Sequence, residues 1–97
     1  MKKQLILLLF FTTLVLDSEA KDNEYYYSLA LQGNEQYTAG NYDSALTLYS
    51  KVVNSDFASA NLFYNLGSTY FKLNQLAPSI YYLEKAQKLA PFDKDIS

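Results

Sequence analysis

The chain has 97 residues, with eight lysines, no arginine, ten acidic residues and a formal net charge of −2. Histidine and cysteine are absent, which removes an imidazole base, a thiolate nucleophile, disulfides and the usual zinc or copper ligands. No basic cluster exists to neutralise a phosphate backbone, so a nucleic-acid partner is not expected.

The N-terminus reads MKKQLILLLFFTTLVLDSEAKD. Lys2 and Lys3 precede an apolar run from Leu5 to Leu16, interrupted by Thr12 and Thr13, and Ser18-Glu19-Ala20 supplies small residues at a cleavage site. This is the layout of a secretory signal peptide over residues 1–20, with cleavage after Ala20. The apolar run is shorter than the roughly 18–20 residues a membrane-crossing helix needs. The expectation is an exported protein of the periplasm or cell envelope, touching a membrane only through this segment or through a region outside the chain. Residues 21–25 form a short lead-in.

From there the sequence repeats. GNEQYTAGNYDSALTLYSKVV from Gly33 aligns without gaps on GSTYFKLNQLAPSIYYLEKAQ from Gly67, an offset of 34 residues. Gly33 pairs with Gly67, Tyr37 with Phe71, Gly40 with Asn74, Tyr42 with Leu76, Ala45 with Ser79, Leu46 with Ile80, Tyr49 with Leu83 and Val52 with Ala86. Large apolar residues recur on large ones and small on small, the mark of a stacked repeat rather than a single closed globule. The fold class expected is all-α, a solenoid of antiparallel helix hairpins with two repeats, over residues 26–59 and 60–93.

Each unit reads as two helices. In the second, Phe63, Leu66, Gly67, Tyr70 and Phe71 recur at helical spacing and form one apolar stripe. Asn74, like Gly40 in the first unit, suits the left-handed residue that ends a helix. Pro78 falls early in the following helix, where its missing N–H costs little, and Ile80, Leu83 and Ala86 make the second stripe. Gly33, Gly67, Ala45, Ser79 and Ala86 supply the gaps that let the two helices of a hairpin approach to about 8–10 Å. A mid-helix glycine costs about 1 kcal/mol relative to alanine, so close packing has to return more than that.

On these residues the chain resembles the tetratricopeptide repeat family. Phe63, Leu66-Gly67, Tyr70, Ser79, Leu83, Ala86 and Pro91 match the pattern in the second unit, and Leu29, Gly33, Ala45 and Tyr49 match it in the first. The first unit departs from the pattern at Gln32, Gln36 and Phe57, as terminal repeats do where they meet water. LAPSIYYLEKAQKLAPFDKDI, together with the N-terminal signal, is similar to the exported tetratricopeptide proteins of bacterial aerotolerance (Bat) operons.

The resemblance implies a protein-interaction scaffold without catalysis, cofactor or metal. It places the first helix of each unit on the concave side, with Tyr27, Ala30, Asn34, Tyr37 and Thr38, then Asn61, Tyr64, Asn65, Ser68, Phe71 and Lys72, facing a protein or peptide partner. Asn34 and Asn65 match asparagine places of members that clamp a C-terminal carboxylate, but Ala30 stands where the clamp lysine falls, so that mode is not expected. Glu35, Asp43, Asp56, Glu84, Asp93 and Asp95 read as solvated charges on polar faces or loops, and Tyr42, Tyr49 and Tyr70 as core. Asp93 caps what reads as the start of a further helix at residues 94–97, so the array is expected to be truncated or completed by a partner. The alternative to peptide binding is a structural module that self-associates through its last helix and takes no peptide.

Overall fold

The computed structural model describes residues 21–90. The proposed signal segment, Pro91 and the anticipated helix start at Asp93 lie outside the described residues. Four helices follow one another: α1 over residues 21–38, α2 Tyr42–Val53, α3 Ala60–Lys72 and α4 Leu76–Leu89. Among the described residues there is no strand. The lead-in, residues 21–25, is already helical.

Both hairpin turns are built the same way. Gly40 adopts φ +84° and Asn74 φ +62°, the left-handed conformation that glycine and asparagine tolerate best. The Gly40 N–H donates to the Tyr37 carbonyl at 3.0 Å and the Asn41 N–H to the Gln36 carbonyl at 2.9 Å. At the second turn Asn74 donates to Phe71 at 3.0 Å and Gln75 to Tyr70 at 2.9 Å. These paired bonds form a Schellman motif, which satisfies helix-terminal carbonyls and reverses the chain. Between the hairpins, Ser55 Oγ donates to the Val52 carbonyl at 2.7 Å and accepts from the Phe57 N–H at 3.1 Å. The Ser59 hydroxyl caps α3 by accepting from the Leu62 N–H at 3.2 Å.

The core runs between the hairpins. Leu29 of α1, Ala45, Tyr49 and Val52 of α2, and Leu62 and Leu66 of α3 form one buried cluster. Tyr26, Tyr37, Leu46, Phe57 and Tyr70 pack around it. Phe57, one of the positions where the first unit departs from the repeat pattern, also stands edge-on to Tyr27 with ring centroids 6.0 Å apart. Inside the second hairpin Phe63, Tyr82 and Tyr70 stack in series at 6.1 and 5.8 Å, and the Lys85 ammonium sits 4.9 Å from the Phe63 ring centroid.

Two positions assigned to apolar stripes are not buried. Phe71 is 59% exposed and Ile80 56% exposed. Their counterparts one repeat earlier, Tyr37 and Leu46, are half-buried against the cluster to which α3 contributes Leu62 and Leu66. The residue types repeat, but α3 covers only the first set.

Candidate peptide-binding face

The inner face is made by α1 and α3, whose exposed sides lie next to each other. The Asn34 side chain joins them. Its Oδ1 accepts the Tyr49 hydroxyl from α2 at 2.5 Å and the Asn65 Nδ2 from α3 at 3.2 Å. One carbonyl oxygen thus ties three helices together. Burial pushes the Tyr49 phenol pKa above its usual value, with the neighbouring Tyr37 adding to the shift.

Two clefts open along this face. The first, of about 380 Å³, is lined by Tyr27, Asn34, Asn61 and Asn65, with Leu31 and Phe57 at its apolar side. The second, of about 310 Å³, is lined by Tyr37, Tyr64, Ser68, Phe71, Lys72 and Leu83. Every residue expected on the face therefore borders one of the two clefts, apart from Thr38, which edges a shallow depression with Leu31 and Glu35. Tyr27, Tyr64 and Phe71 present roughly half of their surface to solvent. Tyr37 is half-buried and meets the Tyr42 ring edge at 5.3 Å, so its ring serves the hairpin as well as the cleft.

Leu31 and Leu83 line the clefts without having been singled out for them. Leu31 follows Tyr27 by four positions, a spacing that puts both on one helix side. Leu83 belongs to a second helix and reaches the cleft only because Gly67 lets α4 come close.

Chemically the face offers aromatic rings, carboxamides, a hydroxyl and a single ammonium. Such a lining grips apolar side chains and hydrogen-bonds peptide groups. Glu35, Asp43, Asp56 and Glu84 are exposed and spread over different helices and loops. Among the described residues no three carboxylates gather to hold a metal ion, and no helix is long and apolar enough to cross a membrane. A polar depression of about 580 Å³ lies between the start of α1 and the loop after α2, with Asp22, Asn54 and Asp56 on its wall. None of the residues expected on the inner face borders it.

Helix hairpins stacked at a fixed offset, with small residues at each crossing, define an all-α helical-repeat protein whose inner face is a display surface. The chain carries tetratricopeptide repeats: residues 33–74 match the family model described as TPR repeat, and residues 60–93 the one described as Tetratricopeptide repeat. A stretch of 70 residues is 33% identical to Protein bimA of Emericella nidulans, taking in 72% of this chain and 9% of that protein. The chain thus spans a small part of the length of this relative. Proteins built from such repeats generally bind protein partners.

Proposed function

We propose that this chain is an exported, non-catalytic scaffold that holds an extended peptide or protein segment along the face made by α1 and α3. The observation that carries this reading is the lining of the two clefts. Three half-exposed aromatic rings alternate with asparagine and serine side chains, and Lys72 stands at one end. Exposed rings beside carboxamide and hydroxyl side chains favour a peptide over a small charged metabolite, which needs several convergent charges.

Tyr64→Ala and Phe71→Ala test it. Segments selected from a display library of peptides should bind the unmodified chain and lose affinity for both variants, while helical content stays the same. Unfolding of the variants, or undiminished binding, would remove the face as the binding site.

Export and an aerotolerance-type envelope complex complete the proposal. They rest on Lys2, Lys3, the apolar run Leu5–Leu16 and the Ser18-Glu19-Ala20 site, and on the resemblance of residues 76–96. The intact mass of the protein in an envelope fraction is the test, since a species that still begins at Met1 is incompatible with cleavage after Ala20. A second reading, self-association through α4 with an empty inner face, is favoured by the exposure of Leu76 and Ile80.

A further inference from the structure

The two inner clefts differ in charge. Rings, aliphatic side chains, carboxamides and a hydroxyl wall the first, and no charged residue borders it. The second is walled by Tyr37, Tyr64, Phe71 and Leu83, with the exposed Lys72 beside them. Lys72 is the one charged residue in the chain between Asp56 and Glu84. No carboxylate borders either cleft, and among the described residues Lys72 makes no ion pair. Its ammonium is thus uncompensated at the groove, next to a ring that is 59% exposed.

The helices also set the distance between the clefts. Tyr27 and Asn61 border the first from equivalent places of α1 and α3, and Tyr37 and Phe71 border the second in the same way. The Asn34–Asn65 bond falls between these markers on both helices. Along α3 the centres of the two linings are about five or six positions apart, which at 1.5 Å per residue is about 8–9 Å. A polyproline II segment returns a side chain to the same side every third residue and covers about 9 Å in doing so. Residues i and i+3 of such a segment therefore match the two clefts.

We propose that the segment held by the inner face carries a large apolar residue and, three positions from it, an acidic one. The apolar side chain fills the first cleft, and the carboxylate meets Lys72 at the second. The peptide groups between them cross Asn34 Nδ2 and Asn65 Oδ1, a donor and an acceptor that the Asn34 Oδ1 bonds leave unused. A basic residue at the acidic place is repelled, so the partner is selected by sign as well as by shape. The charge belongs to a side chain within the segment, because Ala30 stands where a clamp for a terminal carboxylate would need a second lysine. This inference rests on the inner-face reading and adds the chemical class of the partner to it.

Selection from a peptide display library, on the full chain and on Lys72→Glu side by side, tests it. Segments selected by the unmodified chain should share a large apolar residue with Asp or Glu three positions away. Lys72→Glu should keep the apolar residue and select Lys or Arg at the acidic place. In a synthetic segment capped at both ends, replacing the acidic residue by its amide should weaken binding about two- to fivefold at low salt, the range of an exposed ion pair. The difference should shrink at about 0.5 M salt. Circular dichroism of Lys72→Glu should match the unmodified chain, since an exposed position tolerates substitution. Lys72→Gln, which adds no negative charge to the end of α3, should lose the acidic preference without gaining a basic one.

Phe71→Ala separates the two levels of the reading. Segments that lose affinity for Phe71→Ala but carry no acidic residue overturn the inference and leave the inner-face reading standing. An acidic preference that survives both Lys72→Glu and Lys72→Gln does the same, as does stronger binding of a free C-terminus than of the capped segment. Failure of the library to yield any segment that depends on Phe71 removes the inner-face reading itself.

Discussion

A β-carbon added to Gly67 would lie 2.8 Å from Leu83 Cγ and 3.1 Å from the Leu83 backbone nitrogen. The same relationship holds one repeat earlier, where a β-carbon on Gly33 would lie 2.6 Å from Cε1 of the Tyr49 ring. Each glycine marks the point where the two helices of a hairpin touch. Neither neighbour can step aside easily. Leu83 meets the glycine near its branch point and along its backbone, and Tyr49 is buried with its hydroxyl tied to Asn34.

Gly33→Ala and Gly67→Ala are therefore expected to destabilise, although alanine is the better helix former by about 1 kcal/mol. Overpacking of this kind costs about 1–3 kcal/mol, and the net loss should lower Tm by several degrees in a domain this small. Gly40→Ala should destabilise for a different reason, because its φ of +84° disfavours any β-carbon although the surrounding space is open. Thermal unfolding followed by circular dichroism separates the cases: Gly67→Ala paired with a smaller residue at Leu83 should recover part of its loss, and no neighbour change should rescue Gly40→Ala.

Ser79 fills the next gap along α4. It is almost fully buried, and its hydroxyl donates to the Gly67 carbonyl at 2.8 Å. The equivalent slot in the first hairpin holds Ala45, fully buried and without a hydroxyl. Ser79→Ala should thus cost only the hydrogen bond, about 0.5–1.5 kcal/mol. Ser79→Leu should force the hairpin apart and lose considerably more helical signal. Equal Tm values for the two variants would show that α3 and α4 do not meet closely at this point.

Sequence alone made the hairpins legible because their constraints are local and recur. Gly33 with Gly67 and Ala45 with Ser79 betray the crossings, and Gly40 with Asn74 betray the turns, whatever the rest of the chain does. Exposure was less legible. Phe71 and Ile80 repeat Tyr37 and Leu46 in type, yet their burial depends on whether another helix lies above, which no local pattern encodes. The inner face shows the same division. The family resemblance placed Tyr27, Asn61, Tyr64 and Phe71 on one side, but assigned Asn34 to a partner when its Oδ1 already accepts bonds from Tyr49 and Asn65. Those contacts join residues from three helices, so no spacing within one helix announces them.

The Asn34 junction gives a sharper test of structure at the inner face. Its bonds to Tyr49 and Asn65 both use Oδ1 as the acceptor, so an acceptor-only side chain of the same shape suffices. Asn34→Asp should keep most of the stability, whereas Asn34→Ala leaves the Tyr49 hydroxyl without its partner at a cost of about 1–3 kcal/mol. Urea unfolding of the two variants is the measurement. Equal losses would mean that the carboxamide N–H group, and not Oδ1, holds the helices together.

Alkaline pH should weaken the fold, and Tyr49 is a principal reason. Burial raises its phenol pKa above the usual tyrosine value, with Tyr37 as a second cause, and Tyr82 is raised as well, by burial first and then by Tyr70 and Tyr81. A raised pKa means that the folded state holds the proton more tightly than the unfolded chain does. The stabilisation is therefore fully present below the unfolded value and is lost as pH rises through the folded one. Tm should be level with respect to these groups at about pH 9 and fall as pH rises above about 10. Tyr49→Phe removes the ionisable group. It should start less stable, because the bond to Asn34 is gone, but its decline above about pH 10 should be shallower than that of the unmodified chain. Tyrosinate absorbance recorded alongside Tm identifies the titrating groups. Parallel declines in the two proteins would show that Tyr49 ionises in the folded state as readily as in the unfolded chain, and would exclude it as the source of alkaline sensitivity.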